Sequence, residues 1–188
     1  DAMSHPKPSG LLKYLVRSVT SSNDIVMDFF AGSGTTAHGC WLQNIEDNAQ
    51  RRIILVQLPE PITPDTPEGA SAIEYCKKRK IPANIAEVCK ERLRLTANAL
   101  KKSTPSYKGD FGFKVFKLDT SNIRSWEPNP DDLPASLLDA AEHIKDGRSE
   151  DDILFELLLK LGLDLATPIE KKSINGKTVH SIGAGALL

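Results

Sequence analysis

The sequence has few cysteines, little net charge and no apolar run long enough to cross a bilayer. Its three cysteines, at positions 40, 76 and 89, show neither paired nor metal-ligand spacing. We therefore predict reduced thiols and no metal site, which excludes a disulfide-stabilised scaffold. We find no signal peptide and expect a cytoplasmic protein without a membrane partner. The formal net charge of −1 argues against a chain whose main role is to contact nucleic acid.

The most informative stretch is residues 25–36, IVMDFFAGSGTT. An apolar run ends at Asp28, a glycine-containing turn follows, and a helix-like segment then opens with two threonines. Gly32 and Gly34 can adopt positive φ and allow a ligand to approach bare backbone. The pattern predicts a buried strand, a glycine turn and a helix N-terminus, which together form a nucleotide-type binding site.

The ligand of this turn is indicated by Asp28. Residues 32–37 fit the GxGxxG/A dinucleotide pattern, which alone is a weak match, and the sequence contains no GxxxxGK[ST] phosphate loop. A carboxylate just before the turn would repel a pyrophosphate but attract an ammonium group. S-adenosylmethionine has an α-amino group, a sulfonium and no phosphate, so it is favoured. An NAD(P)-binding domain is the alternative, and Asp28 could instead act only as a helix-capping acid.

Four segments resemble one enzyme family. Residues 28–36 (DFFAGSGTT) resemble motif I of the β-class amino DNA methyltransferases, and residues 5–12 (HPKPSGLL) resemble motif X, which precedes motif I in that class. Residues 52–60 (RIILVQLPE) resemble motif II of the modification subunits of type III restriction–modification systems. Residues 152–160 (DILFELLLK) resemble the C-terminal region of those subunits. The resemblance implies a bacterial DNA adenine-N6 methyltransferase and covers nearly the whole chain.

The expected fold class is α/β. The resemblance implies a partial Rossmann-like S-adenosylmethionine-dependent methyltransferase sheet, followed by a C-terminal α+β extension of helices and a β-hairpin. We expect residues 1–118 to form the cofactor-binding part, 119–132 a linker and 133–188 the extension. Apolar periodicity and turn signals predict helices at 11–19, 35–43, 70–80, 83–102, 133–145 and 150–161, strands at 25–27, 53–58 and 111–118, and a hairpin formed by 167–173 and 177–182. Residues 46–52 are predicted as a polar loop, and Ser149 with Asp152 predicts a capping box at the start of the last helix.

The resemblance places S-adenosylmethionine on residues of motifs X, I and II. Lys7 would meet the methionine carboxylate, and either Gln57 or Glu60 would bind the ribose hydroxyls. Phe30 would pack on the cofactor or fill the core. We interpret His38 as a packed or surface histidine, and the basic residues of 83–102 as a solvated face. The residues predicted to bind the cofactor are Lys7, Pro8, Asp28, Phe30, Ala31, Gly32, Ser33, Gly34, Thr35, Thr36, Gln57 and Glu60.

The family's catalytic loop, Asp/Asn/Ser-Pro-Pro-Tyr/Phe/Trp, does not occur in the sequence. In the β class that loop and the target-recognition region lie N-terminal to motif X, so we assign no catalytic residue and expect the chain to be inactive alone. Double-stranded DNA would be bound mainly by the missing half, which would also leave strand 25–27 as an exposed, self-associating edge. The other implied partners are a second modification subunit and the restriction subunit. A non-catalytic interaction module based on helices 133–161 is a further alternative.

Overall fold

The computed structural model describes residues 7–141 and 143–185, with side chains described throughout except at 138–141. Residues 5 and 6 of the motif X resemblance lie outside these ranges. The chain divides into two compact units, residues 1–113 and residues 114–188. The elements in chain order are α1 (Ser9–Val19), β1 (Ile25–Asp28), α2 (Thr35–Asp47), β2 (Arg52–Leu55), α3 (Pro67–Arg79), α4 (Ile85–Ser103), α5 (Leu133–Ala141), α6 (Glu150–Lys160), β3 (Ile169–Ile174) and β4 (Lys177–Ile182).

The first unit is built on a β–α–β arrangement. Strands β1 and β2 pair in parallel, with Val26 opposite Ile53, and α2 connects them. One face of this pair lies against α2 and α4, whose buried side chains form the core: Ala37, Trp41, Cys89, Leu93 and Leu100. The opposite face is exposed at Ile25, Met27 and Ile54. Alternate residues along each strand therefore lie on a face that is covered by helices and on a face that is exposed to solvent.

The mixed helix and strand content confirms the predicted α/β class, but not the predicted sheet. Among the described residues, β1 and β2 pair only with each other, so β1 is an edge strand, as predicted. The predicted third strand at 111–118 is wrong, because this segment has no ladder partner in the described chain. Phe111 instead packs edge-on against Trp41, with ring centroids 6.0 Å apart, and also contacts Tyr107. Its aromatic ring adds to the core of the first unit rather than to a sheet.

Several predicted element boundaries also change. Strand β2 ends at Leu55 rather than at residue 58, and α5 ends at Ala141 rather than at residue 145. Residues 143–145 are extended instead, since Ile144 pairs with Ile123 in an isolated antiparallel bridge. The segment predicted as a polar loop, 46–52, begins inside α2. The change at 143–145 arises from pairing with a distant residue, which local periodicity does not report.

Helix α1 packs across α2 at Gly39. An ideal Cβ built on this glycine would lie 2.7 Å from the backbone nitrogen of Lys13 and 2.7 Å from Cβ of Leu12. The absence of a side chain therefore permits close approach of the two helix backbones. Beyond the C-termini of these helices, the buried guanidinium of Arg51 donates to the Thr20 hydroxyl at 2.7 Å and to Asp47 at 2.8 Å.

The second unit contains α5, α6 and an antiparallel hairpin. The hairpin turns at Asn175 and Gly176, both at positive φ, as the Asn-Gly pair predicts for a two-residue turn. Helix α6 begins with the predicted capping box, in which Ser149 and Asp152 satisfy each other's backbone N–H groups. Leu158 and Ile182 are almost completely buried.

Residues 121 and 122, in the segment predicted as a linker, are hydrogen-bonded to α6. The Glu156 carboxylate accepts from the Ser121 hydroxyl at 2.5 Å and from the Asn122 N–H at 2.6 Å. Together with Lys160, these donors lower the pKa of Glu156 to about 2, Lys160 having the largest effect. The ionised carboxylate thus connects the segment to the helix.

This arrangement predicts an acid-sensitive second unit. Because the folded-state pKa of Glu156 lies below its unfolded value of about 4.3, its contribution to stability is complete above that value and is lost as the pH falls towards 2. We expect the thermal midpoint to decrease between about pH 5 and pH 2, and this decrease to be smaller in Glu156→Gln. Thermal melts across this range, with the exposed Glu150→Gln as the matched control, test the prediction. Identical acid profiles for Glu156→Gln and the native chain would contradict it.

Candidate functional site

The Asp28 carboxylate lies where the end of β1 meets the first turn of α2. Its Oδ1 accepts from the Phe30 N–H at 3.1 Å, and its Oδ2 accepts from the Thr36 hydroxyl at 2.5 Å. A carboxylate can accept about four hydrogen bonds, so these two contacts leave acceptor capacity for a ligand. Asp28 is half-buried. Its carboxylate is therefore oriented by the turn while retaining the ability to bind a cation.

The glycine turn adopts the conformation that its sequence predicts. Gly32 and Gly34 both have positive φ, 54° and 75°, and the Gly34 N–H donates to the Ala31 carbonyl at 2.7 Å. Gly34 is the N-cap of α2 and supplies no side-chain cap. The turn therefore presents the positive end of the helix dipole without a covering side chain.

The hydroxyl groups of the turn are used internally. Ser33 and Thr35 are buried, and their hydroxyl oxygens lie 3.1 Å apart in a shared hydrogen bond. The Thr36 hydroxyl donates to Asp28. The structure thus brings these predicted site residues together, with side chains that stabilise the turn itself.

Gln57 reaches the turn from beyond the end of β2. Its amide oxygen accepts from the Gly32 N–H at 2.7 Å, and its amide nitrogen donates to the Leu58 carbonyl at 3.1 Å. Both ends of the carboxamide thus contact backbone, and its predicted contact with a ribose stays a prediction. Glu60 is exposed, and its carbonyl accepts from the Ile85 N–H at the start of α4.

The remaining predicted residues lie at the surface. Phe30 is 79% exposed and its ring contacts that of Phe29 at a centroid distance of 5.3 Å, so the core-filling interpretation is wrong. Pro8 is the N-cap of α1, and its carbonyl accepts from the Leu11 N–H. Lys7 is exposed just before it. Their contacts with a cofactor stay predictions.

Arg92 is the residue that the sequence interpretation missed. The sequence pattern predicts a solvated basic face for this helix, yet Arg92 is half-buried and its Nη1 donates to the Ser33 carbonyl at 3.0 Å. Burial lowers the pKa of Arg92. The available signal was its position, three residues after Cys89 and directly before Leu93, which places it beside the buried stripe of the helix.

Burial also determines the protonation of the neighbouring groups. It raises the pKa of the Cys89 thiol to about 11 and lowers the pKa of His38, to which the charge of Arg92 also contributes. The Cys89 thiol and the His38 imidazole are therefore both neutral near pH 7. The three cysteines are free and buried. None of the described helices is long and apolar enough to cross a membrane.

Strand β1, the glycine turn and the N-terminus of α2 all lie in a part of the chain that is similar to known proteins. Residues 3–54 match the DNA methylase family. The chain is 30% identical over 177 residues to the EcoPI Mod subunit of a type III restriction-modification enzyme from Escherichia phage P1, covering 93% of this chain and 25% of that protein. It is 33% identical over 115 residues to the StyLTI Mod subunit from Salmonella typhimurium, covering 61% of this chain and 16% of that protein.

These comparisons confirm the predicted resemblance to DNA methyltransferases and to type III Mod subunits. A third relative, the type II methyltransferase M.KpnI from Klebsiella pneumoniae, is 36% identical over 58 residues, which is 31% of this chain and 14% of that protein. The chain thus spans about a quarter or less of the length of the curated relatives described here. The region that matches the family includes both Asp28 and the glycine turn.

Proposed function

We propose that this chain is the S-adenosylmethionine-binding, C-terminal part of a DNA adenine-N6 methyltransferase of a type III restriction–modification system. The observation that carries the proposal is the Asp28 carboxylate, which lies beside a positive-φ glycine turn and accepts two hydrogen bonds within the described part of the chain, leaving acceptor capacity for a ligand. When bound, the cofactor supplies a sulfonium methyl group for transfer.

The charge at this site favours a cationic ligand over a diphosphate. The Asp28 carboxylate lies within hydrogen-bond distance of the first turn of α2, which is where a dinucleotide would place its pyrophosphate. Bringing a diphosphate to this position would set like charges against each other, whereas an α-ammonium group would pair with the carboxylate. The NAD(P) alternative is therefore the weaker of the two.

The other residues have supporting roles in this proposal. The exposed Phe30 ring is free to pack on the adenine or the methionine chain, and Lys7 supplies a cation for the methionine carboxylate. Glu60 has an exposed side chain that could accept from the ribose hydroxyls, while Gln57 chiefly orients the Gly32 N–H. These residues fit the cofactor because the groups that face solvent can contact it, while the other groups stabilise the turn.

We further propose that the chain does not transfer methyl groups alone, because it contains no Asp/Asn/Ser-Pro-Pro-Tyr/Phe/Trp loop. We propose that the whole protein, rather than this chain alone, contacts double-stranded DNA, a second Mod subunit and a restriction subunit. Exposed leucines at 157, 159 and 161, at the C-terminal end of α6, favour a subunit-interaction role for the second unit. The two roles are compatible, since they use different residues.

Calorimetric titration of the chain with S-adenosylhomocysteine tests the cofactor assignment. We expect a one-site isotherm with an affinity at least tenfold higher than that for NADH, a difference of about 1.4 kcal/mol. S-adenosylhomocysteine retains the amino group that Asp28 would bind and lacks phosphate, so the comparison separates the two ligand classes. Tighter binding of NADH would contradict the proposal, as would no heat of binding with S-adenosylhomocysteine at millimolar concentration.

A further inference from the structure

Helix α4 lies directly against the glycine turn. An ideal Cβ on Gly34 would lie 3.0 Å from Sγ of Cys89 and 3.1 Å from Cδ2 of Leu93. Both residues are buried. Packing against this helix therefore disfavours a side chain at residue 34, as does the positive φ of Gly34.

Arg92 adds a directed contact on the same side of α4. Its Nη1 donates to the Ser33 carbonyl at 3.0 Å, from a residue 59 positions later in the chain. Burial opposes the charged form of its guanidinium and lowers its pKa, so the contact is made by a partly desolvated charge. Arg94 differs, because its side chain is 51% exposed and lies near Glu91 and the Phe113 ring.

The contacts from Arg92 and Gln57 restrain two successive residues of the turn. Gln57 accepts from the Gly32 N–H, whereas Arg92 donates to the Ser33 carbonyl. Because the peptide unit is planar and trans, orienting the Ser33 carbonyl also orients the Gly34 N–H, which donates to the Ala31 carbonyl. One side chain thus acts from beyond β2 and the other from α4.

We propose that Arg92 is a positioning residue, which stabilises the glycine turn in the conformation that binds the cofactor. This inference rests on the proposed function of the turn and adds to it a residue outside the four segments that resemble the family. Arg92 acts through the Ser33 carbonyl, and the turn backbone that it orients makes the contact with the cofactor.

The test compares Arg92→Met with Arg92→Lys and with the control Arg94→Met in the full 188-residue chain. We measure amide hydrogen exchange at residues 32–36 by NMR without ligand, and then S-adenosylhomocysteine affinity by calorimetry. We expect Arg92→Met to accelerate exchange at the turn and to weaken binding by about tenfold, which corresponds to about 1.4 kcal/mol. Arg92→Lys should retain part of the protection from exchange and part of the affinity, because an ammonium can still donate to the Ser33 carbonyl. Arg94→Met should match the native chain in both measurements.

Each outcome decides the inference. Unchanged exchange at 32–36 in Arg92→Met overturns it, as does faster exchange with native affinity. If Arg92→Met does not fold, Arg92→Lys decides. Exchange and affinity between the native and fully disordered-turn values in folded Arg92→Lys support the positioning role, whereas faster exchange at 32–36 with native affinity contradicts it. If the native chain binds no S-adenosylhomocysteine, the proposed function fails, and the exchange measurement alone decides whether Arg92 orders the turn.

Discussion

Replacing Asp28 with alanine is expected to weaken S-adenosylhomocysteine binding by about 100-fold, since a hydrogen bond to a charged group contributes about 1.5–3 kcal/mol. The substitution removes the negative charge at the end of β1 and the acceptors for the Phe30 N–H and the Thr36 hydroxyl. Calorimetry measures the affinity, and a thermal melt without ligand measures the effect on the fold. Both quantities are needed because the carboxylate also stabilises the turn.

The variant Asp28→Asn removes the charge of the Asp28 side chain while nearly preserving its shape. The amide retains an oxygen acceptor but carries no charge, so we expect a smaller loss of thermal stability than in Asp28→Ala, together with a large loss of affinity. Asp24→Asn is the matched control, because this exposed acid precedes the same strand and caps the Ser21 N–H. Native affinity in a folded Asp28→Asn variant would show that the charge does not recognise the ligand.

The second large effect is expected from Gly39→Ala. A Cβ at this position would lie 2.7 Å from the Lys13 backbone nitrogen, closer than packed atoms can approach, so α1 must shift away from α2. We expect a loss of about 3 kcal/mol in the free energy of unfolding, near the upper end of the usual cost of overpacking. Denaturant unfolding followed by circular dichroism measures this value.

Gly10→Ala provides a control with the opposite expected sign. Gly10 lies in α1, and an ideal Cβ there would meet no atom within 4 Å. Alanine has the higher helix propensity, by up to about 1 kcal/mol in a helix interior, so this variant should be as stable as the native chain or more stable. Destabilisation of similar size in both variants would show that the effect at Gly39 does not arise from the contact between α1 and α2.

The sequence alone was sufficient where a structure depends on neighbouring residues. The hairpin at Asn175 and Gly176, the capping box of α6 and the β1–turn–α2 unit all form as predicted, because their hydrogen bonds and φ angles are satisfied within a few residues. The resemblance to DNA methyltransferases could be identified for the same reason, since motif I is contiguous in the chain.

Only the tertiary structure decided the contacts between distant residues. Phe111 packs on Trp41 instead of joining a sheet, Gln57 accepts from Gly32, and Arg92 donates to Ser33 from 59 residues away. Local periodicity reports which face of an element is apolar, but not which distant group will satisfy a polar side chain at the edge of that face. The sequence therefore predicts some of the residues that shape the glycine turn, but the groups that they contact became known only from the fold.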